Sequence, residues 1–356
     1  MNPLNISVCI ITKNEEKHLP KTLEAIKDLG FEIVIVDTGS TDNTKKIARN
    51  YTDKVYDFEW CDDFSAARNF SISKASNDWI LVLDSDEVVI TYDISVLCEL
   101  TGYPEQILGT ITRKNHYDNN GIDSIYTDRP ERFFNKKAFH FEGSIHEQPR
   151  PLRAYPIPKE GIEHDTGITV DHLGYALDAK GLEEKKNRNV SLLLEELKKH
   201  PNDPYIYFQL GQAYNGFDDA KALEYYSKGL EYDVDPSLEY VQMMIIAYGY
   251  CLLHLERFDE ALSISGVYDE FAVSADFFTL MGVIYMRTGK LMQAMGEFLK
   301  ATMCPVSYVE GSNSFIPLYN MGCISEMLGE TQMAASYYEK CGDYEPAQKS
   351  LSMLKR

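Results

Sequence analysis

The sequence predicts an α/β domain with a mostly parallel sheet over residues 1–178, followed by an all-α domain of paired helices over residues 179–356. Three observations carry this. At 356 residues the chain is too long for one ordinary core. Up to Asp84, short apolar runs alternate with helix-like segments, the pattern of a parallel sheet covered by helices on both faces. Beyond about Asp178 the strand signals fade and a helical pattern recurs.

The first strand is ISVCIIT, Ile6–Thr12, a continuous β-rich apolar run. NEEKHLPKTLEAIKDLG follows as an amphipathic helix, with Gly30 as its stop signal. FEIVIVD, Phe31–Asp37, is a second buried strand. TGSTDNTKKIARNY is a polar turn opening another helix, which Thr41 or Asp42 can cap. DKVYDFEW is a third strand, SAARNFSISKA a helix and DWILVLD a fourth strand. From Asp93 to about Val170 short strands (GTITRKNHY, ERFFN, GITVDHLGY) lie among loops rich in Gly, Pro and His, and this half of the domain is expected to carry the acceptor side.

In the C-terminal half four segments align, with Gly at 211, 249, 282 and 322 and Ala at 222, 261, 294 and 334. Four residues past each Ala stands Tyr226, Ser265, Phe298 or Tyr338. Small residues let two helices approach and an aromatic fills the space behind. The period of roughly 33 to 40 residues fits tetratricopeptide-like hairpins. Stacked hairpins form binding surfaces, or serve only to cap a neighbouring domain or to pair two copies into a homodimer.

Composition narrows the function. A net charge of −20 argues against a nucleic-acid protein, because phosphate backbones need Lys/Arg surfaces. No stretch approaches the roughly eighteen apolar residues of a membrane span. The apolar run at Ile6–Ile11 is too short for a signal peptide. The seven cysteines are scattered with no CxxC pair, as in a reducing, cytoplasmic setting.

In parallel sheets ligands gather at the carboxyl ends of strands, and Thr12, Asp37 and Asp84 stand at three such ends. WILVLDSDEVV ends its apolar run in Asp84, Asp86 and Glu87. Two carboxylates one residue apart can address a divalent cation, Mg²⁺ or Mn²⁺, which accepts phosphate oxygens as further ligands. Arg129 and Arg132, in TDRPERFF, are candidates for pairing with a diphosphate.

Four motifs, CIITKNEE, IVDTGSTDNT, FSAARNFSISKASNDWILVLDSDE and HFEGSIHEQP, in this order and spacing, resemble the GT-A glycosyltransferases of family 2, whose fold is Rossmann-like. The resemblance is to the bacterial subgroup with tetratricopeptide-like C-terminal repeats, which includes peptide S-glycosyltransferases of glycocin biosynthesis of the sublancin type. It rests on specific motifs over residues 5–175 and on architecture beyond them. It implies that Thr12, Asn14 and Glu15 form the nucleotide-base loop and that Asp37 accepts from the uracil. Asp84 would lie by the ribose and metal, with Ser85 in the same loop, and Asp86 would ligate the metal directly. Arg68, in ARN, would lie beside the nucleotide and sugar. His172 is the expected third metal ligand, with His164 as its competitor. Glu147 is the first choice for the base that takes the acceptor's proton, and His146 the second. Trp60 and Asp63 are candidates for a lid or sugar-pocket wall.

The activity implied is a metal-dependent, inverting transfer of a hexose, glucose or N-acetylglucosamine, from a UDP-sugar to Ser/Thr or Cys of a peptide held by the repeats. A thiol, with a reference pKa of about 8.5, needs less help from a base than a hydroxyl. The alternatives are a family 2 enzyme acting on a cell-envelope glycan or lipid-linked acceptor, and a non-catalytic repeat scaffold.

Overall fold

The computed structural model describes residues 5–119, 122–152, 163–173 and 179–354. Two compact units divide between Leu192 and Leu193. The boundary expected at residue 178 lies outside the described residues.

The N-terminal unit runs β1 (Ile6–Thr12), α1 (Leu19–Ile26), β2 (Glu32–Asp37), α2 (Thr44–Ala48), β3 (Val55–Asp57), α3 (Phe64–Lys74), β4 (Trp79–Asp84), β5 (Glu87–Thr91), α4 (Ile94–Leu100), β6 (Leu108–Asn119), β7 (Ile122–Asp128), β8 (Glu131–Asn135), β9 (Phe139–Glu142), β10 (Gln148–Pro151) and β11 (Glu163–His172). The sheet order is β3-β2-β1-β4-β8-β6-β11-β5, with β7 on β6 and β9 paired with β10 apart. The strands β3, β2, β1 and β4 are parallel, as the strand–helix alternation predicts. Beyond β4 the sheet is mixed: β8 runs antiparallel to both β4 and β6, and β5 antiparallel to β11.

Strands β1, β2 and β4 are buried on both faces, which is why they read as unbroken apolar runs, and the short edge strand β3 is only partly covered. Ile6, Val8 and Ile10 of β1 pack with Leu19 and Leu23 of α1 on one side. Cys9 of β1 and Val34 of β2 pack with Ile72 of α3 and Phe141 of β9 on the other. The first helix is shorter than expected. It begins only after His18, with Pro20 in its first turn, because residues 13–18 form a loop in which Asn14 is left-handed (φ 56°).

The C-terminal unit is all-helical and is entered by α5 (Ala179–Lys199). It holds α6 (Pro204–Tyr214), α7 (Asp219–Leu230), α8 (Glu239–His254), α9 (Phe258–Ser263), a 3₁₀ turn, α10 (Tyr268–Phe271), α11 (Ala275–Arg287), α12 (Leu291–Met303), α13 (Phe315–Met327), α14 (Thr331–Lys340) and α15 (Glu345–Leu354). The four aligned segments become the antiparallel pairs α6/α7, α8/α9, α11/α12 and α13/α14. The glycines are required by the rings behind them. A Cβ at Gly211, Gly282 or Gly322 would come within 2.3, 2.5 or 2.4 Å of Tyr226, Phe298 or Tyr338. In the second pair, where Ser265 replaces the aromatic, Leu280 and Ile264 fill the space over Gly249.

Candidate active site

The parallel register brings the strand ends into one row. Thr12 pairs with Asp37 across β1 and β2, and Ile11 lies opposite Asp84. Asp37 is 1% exposed. Its Oδ1 accepts from the backbone N–H groups of Gly39 (3.0 Å) and Ser40 (2.8 Å) in a turn that needs φ 107° at Gly39. Its Oδ2 and the Thr12 hydroxyl are buried without a hydrogen-bond partner. Beside them the loops after β1 and β2 are knitted together. Asn14 Oδ1 accepts from Thr41 N (2.8 Å), and Thr44 Oγ1 accepts from Glu15 N (2.8 Å). Glu15 Oε2 lies 2.9 Å from His18 Nδ1. Asn14 and Glu15 thus tie the segment after β1 to the one after β2.

Asp84 ends β4 among guanidinium groups. Its Oδ1 accepts from Arg68 Nη2 at 2.6 Å and its Oδ2 from Arg132 Nη2 at 3.0 Å. Burial alone would raise its pKa, but Arg68, Arg132 and Arg113 outweigh that and hold the carboxyl well below the usual range. Glu87, fully buried at the start of β5, accepts from Asp84 N at 2.9 Å and lies 3.3 Å from Arg113 Nη1. Its burial and the neighbouring Asp84 charge push its pKa up. Arg113 in turn binds Asp128 through two nitrogens, at 2.9 and 2.5 Å. Arg68, on α3, also donates from Nε to Glu147 Oε1, and its Nη1 is buried without a partner, as is Arg132 Nε.

Asp84, Asp86 and His172 are not brought together as three metal ligands. Among the described residues no group of three or more His, Cys, Asp and Glu side chains could hold an ion. The physical reason is that both Asp84 oxygens face arginines. Asp86 and His172 do meet, with Oδ2 and Nε2 3.4 Å apart. Asn115 orients this pair. Its Nδ2 donates to Asp128 Oδ1 (3.1 Å), which leaves its Oδ1 to accept from His172 Nδ1 (2.7 Å) and turns Nε2 towards Asp86. Burial alone would lower the His172 pKa, but the Asp86 carboxylate raises it above the ordinary value. An imidazole nitrogen and a carboxylate oxygen face to face, backed by a fixed tautomer, form a donor set suited to a divalent cation that takes its remaining ligands from phosphate and water. His164 stands at the other end of β11, edge-on to Tyr103; its partner Gly109 on β6 is six residues from Asn115, the partner of His172, a separation of about 20 Å.

The loop between β9 and β10 closes the other side. It turns through Gly143 (φ 103°) and His146 (φ 50°), and Ser144 O accepts from Phe64 N at 2.9 Å. Asn69 pins it by reciprocal bonds to Phe141 N (2.9 Å) and Phe141 O (2.8 Å). Glu147 is largely buried against Arg68, and His146 is exposed. Ser85 is buried, its carbonyl accepting from Thr22 Oγ1. Asp63 caps α3 through Ala66 N, Trp60 packs edge-on to Phe64, and Arg129 is exposed. Sequence reading missed Asn69, Arg113, Asn115 and Asp128. No motif marks the last three, which reach the site through strand pairing between β6 and β7.

Residues 7–154, within the N-terminal unit, match the model of Glycosyl transferase family 2. A TPR repeat-containing protein of Synechococcus elongatus is 30% identical over 239 residues, 63% of this chain and 55% of that protein. The SPbeta prophage-derived glycosyltransferase SunS of Bacillus subtilis is 28% identical over 241 residues, 63% of this chain and 53% of that protein. The chain thus spans about half the length of the curated relatives it matches. The crystal structure of MamA aligns with 49% of this chain and 98% of its own length, at 17% identity and a TM-score of 0.39. No helix among the described residues is long and apolar enough to cross a membrane.

Proposed function

We propose that this chain is a metal-dependent, inverting glycosyltransferase that moves a hexose, glucose or N-acetylglucosamine, from a UDP-sugar to a Ser/Thr or Cys side chain of a peptide. The observation that carries the reading is the orphaned acceptor at the strand ends. Asp37 Oδ2 is buried with no donor, which a nucleotide base N–H would supply. In this reading Thr12, Asn14 and Glu15 bound the base. Asp84, with Ser85 behind it, and Arg68 and Arg132 face the ribose and diphosphate, and Asp86 and His172 hold Mn²⁺ or Mg²⁺. The cation, when bound, offsets the charge of the departing diphosphate. The loop of His146 and Glu147 supplies the base that removes the acceptor's proton as the anomeric carbon is attacked from the opposite face. The repeat unit holds the peptide, and its exposed Met292 and Met303 suit pairing of two copies. Seven unpaired cysteines support a cytoplasmic location.

The test is donor turnover. With Mn²⁺ the protein is expected to release UDP slowly from UDP-glucose or UDP-N-acetylglucosamine, and Asp86→Ala to lower the rate by about a thousandfold. No turnover with any nucleotide sugar would overturn the reading. Intact-mass measurement of candidate peptides after incubation separates a peptide acceptor from a glycan or lipid one.

A further inference from the structure

Glu147 and His146 are neighbours in one loop, but their surroundings assign them different work. We infer that Glu147 is a positioning residue for Arg68 and not the base, and that the buried Nη1 of Arg68 is the group offered to the donor's diphosphate. The inference rests on the nucleotide-sugar reading of the same site.

A guanidinium carries five N–H donors in a planar fork. On Arg68 the Nε edge is held by Glu147 Oε1 and the Nη2 end by Asp84 Oδ1 at 2.6 Å. The Phe141 ring lies 5.5 Å from its central carbon. Two carboxylates from separate loops therefore hold one guanidinium between them, against an aromatic ring. Nη1 remains, buried and without a partner, on a side chain only 6% exposed. Arg132 repeats the arrangement across Asp84, with Nη2 on Oδ2 at 3.0 Å and a buried, unpaired Nε. Unpaired N–H donors at this depth are costly unless an anion completes them. Two of them flanking one carboxylate make an anion site, and a diphosphate is the anion this reading supplies.

Glu147 has a side chain only 8% exposed and gives its Oε1 to Arg68. A base must direct its lone pair at the acceptor's proton, and this carboxylate oxygen is directed at Arg68 Nε. His146, on a left-handed backbone at φ 50°, is exposed. The loop thus turns one side chain inward to hold Arg68 and leaves the other at the surface.

Calorimetric titration of UDP in the presence of Mn²⁺ tests this on the full chain, for the unmodified protein, Glu147→Ala and Glu147→Gln, with thermal unfolding followed in parallel. Glu147→Ala is expected to weaken UDP binding by about tenfold, the loss of one charge-assisted contact to Arg68. Glu147→Gln keeps an amide oxygen for Arg68 Nε. It is expected to bind UDP within about threefold of the unmodified protein and to lose less than about tenfold in turnover, with an unchanged pH–rate profile. The inference is overturned if Glu147→Ala binds UDP as tightly as the unmodified protein. It is equally overturned if Glu147→Gln keeps its UDP affinity and loses about a thousandfold in turnover, the signature of a missing base. Should Glu147→Ala not fold, the Glu147→Gln result decides alone. Absence of UDP binding by the unmodified protein would sink the nucleotide reading itself, a separate failure.

Discussion

The two units bury different things. Beside its strand ends the N-terminal unit buries Arg68, Arg132, Asp37 and Glu87. At the same depth the repeat unit buries Tyr226, Phe298 and Tyr338, each against a glycine of the facing helix. A ring pressed onto bare backbone gains dispersion and hydrophobic free energy, and at most a hydroxyl needs a partner: that of Tyr338 donates to Glu326 Oε2 at 2.9 Å, and that of Tyr226 is buried without one. A buried ion costs several kcal/mol before its partners offset that, and replacing such pairs by apolar groups is often neutral or stabilising. Orphaned atoms on Asp37, Arg68 and Arg132 show that partners within the chain do not offset the cost fully here. The contrast teaches where to look for chemistry: the N-terminal unit leaves atoms of charged side chains, Asp37, Arg68 and Arg132, without partners beside the strand ends, whereas the repeat unit leaves the neutral Tyr226 hydroxyl and Gln242 Oε1.

The largest effect expected from breaking this contrast is in the repeat unit. A Cβ at Gly282 would lie 2.5 Å from Cε1 of the fully buried Phe298. Gly282→Val should therefore destabilise by about 2–4 kcal/mol, read as a lower midpoint in thermal or urea unfolding. The same substitution at Gly296, which has nothing within 4 Å, serves as the control. Equal loss at both positions would show that helix propensity, not the ring contact, sets the cost.

In the N-terminal unit the sharper test is Asn115. It touches neither Asp84 nor Asp86 in the described bonds and acts by holding His172 Nδ1 at 2.7 Å. Asn115→Ala is expected to weaken Mn²⁺ binding by about 10–100-fold, about 1.4–2.7 kcal/mol, with a small change in unfolding midpoint. Manganese titration in the presence of UDP measures this directly. An unchanged affinity would mean that the Asp86–His172 pair needs no support from behind.

Legibility follows the same division. The repeat pairs were readable because a helix hairpin is a local object: Gly211, Ala222 and Tyr226 meet within one hairpin, so their spacing is written in the chain. The strand ends at Thr12, Asp37 and Asp84 were readable because a parallel sheet aligns its carboxyl ends. The loop-to-loop work of Asn14 was not readable, since it depends on Thr41 arriving 27 residues later. Nor was the arginine cage around Asp84, which gathers Arg68, Arg113 and Arg132 from three elements. A DxD motif read alone gives both carboxylates to a metal. Here both oxygens of Asp84 accept from arginines, a contact the motif alone does not announce.

The smallest effect separates the two ends of a single strand. Glu32 begins β2 and Asp37 ends it. Glu32 is fully engaged: it accepts from Lys54 Nζ, from the Ser7 hydroxyl and from Ser76 N at 2.7 Å. Burial alone would raise its pKa, but these donors outweigh that and bring it down to about 2. A folded value below the ordinary one, about 4.3 for Glu, means that folding favours the ionised form. The stabilisation is complete above about pH 4.5 and fades as the pH falls towards about 2. Glu32→Gln should therefore cost about 1–2 kcal/mol at pH 7, and the gap between the two proteins should narrow steadily on acidification below about pH 4.5. At Asp37 the orphaned Oδ2 reverses the expectation. Asp37→Asn should leave the unfolding midpoint nearly unchanged at pH 7, within about 0.5 kcal/mol, while weakening UDP binding. A midpoint that falls as far for Asp37→Asn as for Glu32→Gln would mean that both ends of β2 serve the fold alike.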